Sequence, residues 1–336
     1  MYPKMSVTDA AQILKLENQS VIKRLKSNNL NFEKSKNRVY FGHKTAKALF
    51  NSCNNSSFTK KCMVIATQIV KGGTGKTALT LNLAVRFSLL GKKVAIIDLD
   101  QQSNLTAHCD IDADNLPIMI DIIEGESEIA KSMIEVCEGL HLLPSRIDNA
   151  VLDDTILFKS LPLDKVYKKQ IDLLKPYYDV IFIDCPPALG RSVGAVALSS
   201  DLILCPVSPD KQCLTGLKLL DDGLYELEKR NLGPKTNYKI IFNKYDGRTN
   251  ASRKILSILF ETPHYREHML KTYIRLNQEF VNYCIKSTSI YDSLQPSSAK
   301  DDIDCLAQEL IDIFPQLQLQ TSEFDLKEKV PCDADS

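Results

Sequence analysis

Between an apolar run and a helix-forming stretch the chain reads Val70-Lys71-Gly72-Gly73-Thr74-Gly75-Lys76-Thr77. Glycines before a helix let backbone N–H groups curl around an anion, and the helix N-terminus adds the positive end of its dipole. A polyphosphate suits such a loop. Lys76 is placed to reach terminal phosphates, and Thr77 offers a hydroxyl to Mg²⁺. Gly72, Gly73, Thr74, Gly75, Lys76, Thr77 and Ala78 are expected to line the cradle. The commonest phosphate-loop spacing needs glycine at position 70, where Val70 stands; Lys71 and the Gly72-Gly73 pair appear instead. Two further apolar runs end in acids. Val94 to Leu99 carries Asp98 and leads to Asp100, and Val180-Ile181-Phe182-Ile183 closes on Asp184. Carboxylates at such strand ends can hold a hard cation or orient a water.

The Lys-Gly-Gly-x-Gly-Lys-Thr form resembles the deviant Walker A ATPases, the group that contains ParA and MinD. Asp98-Leu99-Asp100-Gln101-Gln102-Ser103-Asn104 is similar to that group's second motif, with Gln101 in place of proline and Ser103 in place of glycine. Tyr178 to Pro187, ending Asp184-Cys185-Pro186-Pro187, matches its Walker B strand. The resemblance runs from residue 62 to about 312 and points to the ParA family of partition ATPases. It implies ATP and Mg²⁺ as cofactors, with Thr77 and Asp184 holding the metal. It implies that Lys71 reaches across an ATP-bound homodimer to the partner's nucleotide, and that Asp100 orients the attacking water. Asp98 is read as a structural strand-end carboxylate. Asn243, within Phe242 to Asn250, takes the role of an adenine contact. The family implies plasmid or chromosome segregation, in which the ATP-bound dimer binds DNA of any sequence and a ParB-type partner stimulates hydrolysis. Lys244, Arg248, Arg253, Arg266, Lys271 and Arg275, on or near the late helices, are the candidates for that DNA face.

These residues need a frame. Cys62–Val70, Val94–Leu99, Val180–Ile183, Leu202–Pro206 and Lys239–Asn243 read as strands. The stretches Ala78–Leu90, Leu214–Lys229 and Arg253–Phe260 read as helices between them. Near-continuous apolar strands alternating with helices predict an α/β fold, a P-loop NTPase whose mostly parallel sheet is covered by helices on both faces. No internal repeat interrupts the alternation. The expected organisation is a small module over 1–50, an Asn/Ser-rich linker over 51–61, the ATPase domain over 62–315 and a mobile tail over 316–336.

The small module has its own chemistry. Residues 1–61 hold twelve Lys and Arg against three acids, a net charge of +9 in a chain that is neutral overall, so the remainder carries −9. That asymmetry points the first segment toward nucleic acid. Ser6 and Asp9 have capping-box spacing ahead of Ala10, Ile13 and Leu14. A second helix over Gln19–Leu30 puts Val21, Ile22 and Leu25 on one side and Lys23, Arg24 and Lys26 toward the other. Lys34 to Arg38 then turns into Val39-Tyr40-Phe41. The pattern resembles a winged helix-turn-helix, with Lys23, Arg24, Lys26 and Arg38 as candidate DNA contacts. In the larger plasmid ParA proteins such a module binds the partition operator and represses transcription.

Other classes fit less well. The ten cysteines form no C-x-x-C pair and several sit in apolar runs, so they read as reduced small hydrophobes. No segment has the length of a membrane helix or the apolar core of a signal peptide, which places the protein in the cytoplasm, and the family resemblance implies association with the nucleoid. A MinD-like membrane cycle would need a basic amphipathic C-terminal helix, whereas Glu323 to Lys329 mixes its charges. A nitrogenase-iron-protein-like role would need cluster cysteines, with Cys109 and Cys137 as the candidates. His264-Tyr265-Arg266-Glu267-His268 matches the spacing of a zinc peptidase helix, but no third ligand is evident, and the segment reads as a solvent-facing helix.

Overall fold

The computed structural model describes residues 1–35, 38–51, 61–230, 237–314 and 317. Most of the expected linker and nearly all of the expected tail lie outside the described residues.

The central sheet has eight strands: β4 (Met63–Thr67), β5 (Val94–Asp98), β6 (Ile134–Cys137), β7 (Leu140–Leu143), β8 (Val180–Asp184), β9 (Leu202–Val207), β10 (Tyr238–Tyr245) and β11 (Met269–Arg275). Their order is β11-β10-β9-β4-β8-β5-β7-β6, parallel throughout except for β6, which runs antiparallel to β7 at one edge. The four central strands β4, β5, β8 and β9 are buried along their whole length because side chains of alternate residues enter different cores. Met63, Ile65, Val94, Ile96, Val180 and Phe182 join one cluster. Val64, Ala66, Ala95, Ile97, Ile181 and Ile183 join the cluster on the other side. A third cluster gathers Ile203, Cys205, Val207, Ile240 and Phe242 with Cys213, Leu217, Ile255 and Leu259.

The expected strand over Cys62–Val70 is shorter than its apolar run, since backbone from Gln68 onward already belongs to the phosphate loop. The edge strands β6 and β11, and β7 next to β6, were not anticipated. In β11 only Leu270 and Ile274 are buried, so its pattern lacks the continuous apolarity of the inner strands.

The first 51 residues form three helices, α1 (Val7–Leu14), α2 (Asn18–Ser27) and α3 (His43–Asn51), and a three-stranded sheet ordered β1 (Met5–Ser6), β3 (Arg38–Phe41), β2 (Glu33–Ser35). The capping box is complete: Asp9 N–H donates to Ser6 Oγ, and Ser6 N–H donates to Asp9 Oδ2, both at 3.1 Å. These elements do not stand apart from the ATPase. Met5, Val21, Leu25, Ala46 and Leu49 belong to the same cluster as Leu83, Phe87, Leu89 and Leu306.

The seam lies along α4 (Lys76–Leu89), the helix behind the phosphate loop. The Nδ1–H of His43 donates to the Ser88 carbonyl at 2.8 Å. Gly91 lies so close to α3 that a Cβ there would sit 2.7 Å from Lys47 Cα, and one on Gly139 would strike the His43 ring. The five remaining helices used below are α5 (Arg191–Ser199), α6 (Lys211–Lys229), α7 (Asn250–Glu261), α8 (Pro263–His268) and α9 (Ser298–Ile313).

Candidate nucleotide site

β4 sits between β9 and β8, and its connection through α4 returns to β5 on the far side of β8. A sheet whose strand order reverses in this way opens a crevice at the strand C-termini. The glycine-rich loop occupies that place. Gly73 (φ +73°) and Gly75 (φ +89°) adopt left-handed backbone that suits glycine, and Gly75 caps α4. A Cβ on Gly72 or Gly73 would meet nothing within 4 Å, so the loop borders open space. Gly216 of α6 lies against the Val70 carbonyl, which a Cβ would approach to 2.6 Å.

Thr77 Oγ1 donates to Asp184 Oδ2 at 2.7 Å. Asp184 Oδ1 is buried and lacks a hydrogen-bond partner among the described residues, as do Thr74 Oγ1 and Gln68 Oε1. A buried carboxylate oxygen left unpaired beside a hydroxyl, at the mouth of an open anion cradle, fits a hard cation that also binds phosphate. Thr77 and Asp184 are the residues that would hold Mg²⁺. Burial, and then the charge of Asp98, holds the Asp184 carboxyl well above its usual range. Lys76 is buried at 6% exposure; loss of water lowers its pKa, while Asp184 and Asp100 act the other way.

Asp98 is fully buried and its carboxylate is filled from within. It accepts from Asp100 N–H, Thr106 N–H and Thr106 Oγ1, the last at 2.7 Å. Burial raises its pKa and these bonds oppose the rise. Asp98 therefore shapes the turn that carries Asp100. Asp100 Oδ1 accepts from Gln102 N–H, and its carbonyl accepts from Ser145 Oγ. Thr106 and Ser145 had no signal in the sequence, because their roles follow from where β7 and the turn after β5 meet.

Lys71 is half-buried at 27% exposure, with its Nζ 4.0 Å from Asp210 Oδ2. Asn243 is buried at the end of β10, where its Nδ2 donates to the Thr74 carbonyl at 2.6 Å. Lys244, expected on a DNA-facing surface, instead donates from Nζ to the Gly73 carbonyl at 2.6 Å.

The remaining basic candidates divide. Lys23 and Lys26 are exposed on α2, and Arg24 is half-buried there. Arg38 donates to the Leu294 carbonyl across the seam. Arg253 is exposed on α7 and touches Asn250 Oδ1 at 2.8 Å. Lys271 and Arg275 lie on edge strand β11 rather than on a helix. Arg275 is spent on Asp302, with Nη2 2.6 Å from Oδ1, so its planar fork is not available to a phosphate. Arg248 is bound to Asp246.

The segment with His264 and His268 is a helix without a buried residue, as expected, and both rings are engaged. His264 Nε2 lies 2.8 Å from Asp221 Oδ2, and His268 stacks on Tyr238 at 3.9 Å. No group of three potential metal ligands occurs among the described residues. The eight described cysteines are unpaired; burial pushes the Cys62 thiol up to about 12, which suits small hydrophobes rather than reactive thiols.

Residues 62–240 match the AAA domain family AAA_31. The chain belongs to this family and is a ParA-type P-loop ATPase. Uncharacterized protein MJECL24 of Methanocaldococcus jannaschii is 31% identical over 205 residues, covering 59% of this chain and 79% of that one. Virulence plasmid ParA family protein pGP5-D of Chlamydia psittaci is 28% identical over 247 residues, covering 71% and 91%. Among solved structures, an ATP complex of an McdA variant from Cyanothece superposes with a TM-score of 0.67 at 18% identity, covering 75% of this chain and 97% of that one. That likeness is one of fold. No helix among the described residues is long and apolar enough to cross a membrane.

Proposed function

We propose that this ParA-type ATPase moves DNA cargo by cycling between an ATP-bound homodimer on DNA and a released, hydrolysed state. The observation that carries the reading is the pairing of the glycine cradle with the Thr77–Asp184 contact and the half-buried Lys71 beside it. The family membership and the plasmid relative from Chlamydia psittaci support it.

In this reading the loop N–H groups and Lys76 bind the phosphates of ATP, and Thr77 and Asp184 hold Mg²⁺. Bound there, the metal would supply charge neutralisation to the phosphates. Asp100, kept in place by the turn that Asp98 anchors, orients the water that attacks. Lys71 reaches the partner's nucleotide, so ATP and dimerisation are linked. Asn243 holds the loop and takes adenine. The exposed Lys23 and Lys26 of the N-terminal module contact an operator and repress transcription, and Arg253 on α7 belongs to a second face for DNA of any sequence. A ParB-type partner stimulates hydrolysis, and the protein acts in the cytoplasm on the nucleoid.

Binding to a random-sequence duplex at fixed salt, with ATP, ADP or no nucleotide, tests this. Binding chiefly with ATP, with a steep salt dependence, is expected. Equal binding in all three states would leave only the basic N-terminal module as the reader of DNA and would remove the nucleotide switch.

A further inference from the structure

Two consecutive carbonyls of the phosphate loop are gripped by two consecutive side chains at the end of β10. Lys244 Nζ donates to Gly73 O, and Asn243 Nδ2 donates to Thr74 O, each at 2.6 Å. The grip is itself braced. Asn243 Oδ1 accepts from Lys244 N–H at 2.9 Å, and Lys244 adopts φ +57°, a left-handed conformation uncommon for a side chain of its kind. Strained backbone of this sort persists where its surroundings hold it, and it clusters at functional sites. Gly75 leaves room for the clip, because a Cβ there would lie 2.4 Å from Asn243 Nδ2.

In a planar trans peptide the carbonyl of one residue and the N–H of the next point in opposite directions. Holding the Gly73 and Thr74 carbonyls toward β10 therefore turns the Thr74 and Gly75 N–H groups away from it. The open space beside Gly72 and Gly73 is where an anion would receive them. We infer that Lys244 is a positioning residue of the phosphate loop, its ammonium fixing the Gly73 peptide so that the cradle is set before nucleotide arrives. Its charge serves the loop backbone, not DNA. The inference rests on the nucleotide reading of the site.

Lys244→Met removes the ammonium at nearly constant length, and Lys244→Gly removes it while suiting the left-handed backbone. Lys244→Arg keeps a charged donor. Each is measured in the full chain for binding of Mg²⁺-ATP by calorimetry, for kcat and KM, and for melting without nucleotide. Lys244→Met and Lys244→Gly are expected to weaken ATP binding and raise KM about ten-fold, the scale of one charge-assisted hydrogen bond, with kcat changed less than three-fold. Lys244→Arg is expected to recover most of the loss, and melting without nucleotide to stay within about 2 °C of wild type.

Wild-type affinity in both Met and Gly variants overturns the inference while leaving the ATPase reading intact. So does an arginine variant as weak as the methionine one, or a large fall in melting temperature that places Lys244 in the general fold. A wild-type protein that binds no ATP overturns the nucleotide reading itself.

Discussion

Asp98 and Asp100 are two residues apart, and their surroundings give them different work. Asp98 fills its carboxylate with donors from Asp100 and Thr106 and has no exposure, whereas the Asp100 carboxylate accepts from Gln102 N–H and its charge acts on Lys76 of the phosphate loop. Asp98→Ala leaves the Thr106 and Asp100 donors buried without an acceptor. It should cost about 2–4 kcal/mol of stability, read as a lower melting temperature with and without ATP. Asp100→Ala should melt within about 2 °C of wild type, bind ATP normally and lose at least 100-fold in kcat. If Asp100→Ala turns over normally, the water is oriented by another group. The structural place of Asp98 could be read from sequence, from its position at the end of an apolar strand. The partners that enforce it could not, since Thr106 and Ser145 reach the site through tertiary contacts that no spacing records. Lys244 shows the same limit: its charge was visible, but the carbonyl it serves lies 171 residues away in the chain.

At the scale of elements, the inner strands and the loop before α4 were legible because burial on both faces leaves an unbroken apolar signature. The edge strands were not, since β11 and β6 are half exposed and carry polar residues. The loop-to-helix junction is the strictest element. Gly75→Ala meets both a left-handed φ and the Asn243 amide, and should abolish measurable ATP binding while the sheet still folds; calorimetry together with circular dichroism checks both halves. The contact between α3 and α4 carries a pH dependence. Burial lowers the His43 pKa from 6.5; the charge of Lys47 adds to that, while the Ser88 carbonyl bond and the charges of Glu138 and Asp179 act against it. The unfolded chain then binds the proton at a higher pH than the folded one. The stability of neutral, buried His43 is complete above about pH 6.5 and is lost as pH falls through the window below it. His108, His141 and His268 are lowered in the same direction. Melting temperature should drop between pH 7 and pH 5, and His43→Gln should flatten part of that slope. An unchanged slope would remove His43 as a contributor.

On the scale of the whole molecule, the charge asymmetry and the Asn/Ser stretch suggested a basic module tethered to an ATPase. The structure joins them instead. Met5, Val21, Leu25 and Leu49 share a core with Phe87, Leu89 and Leu306, and the chain's start is tied down by Lys4 N–H donating to the Tyr291 carbonyl at 2.9 Å. Docking was hidden because a buried apolar side chain looks the same in sequence whether its neighbours come from its own module or another. The consequence can be measured. A fragment beginning at Lys61 would lack the module's share of the core that holds Phe87 and Leu89 of α4 and Leu306 of α9, and large apolar patches of this kind drive association. It should be aggregation-prone, or melt at least about 5 °C below the full chain, while keeping the nucleotide loop intact in sequence. A soluble, monodisperse fragment with the melting temperature of the full chain would mean that the module contributes nothing to the body's stability. Seated on the far end of the same helix that begins at Lys76, the module would otherwise be expected to register what happens at the phosphates through one rigid element, about 14 residues long.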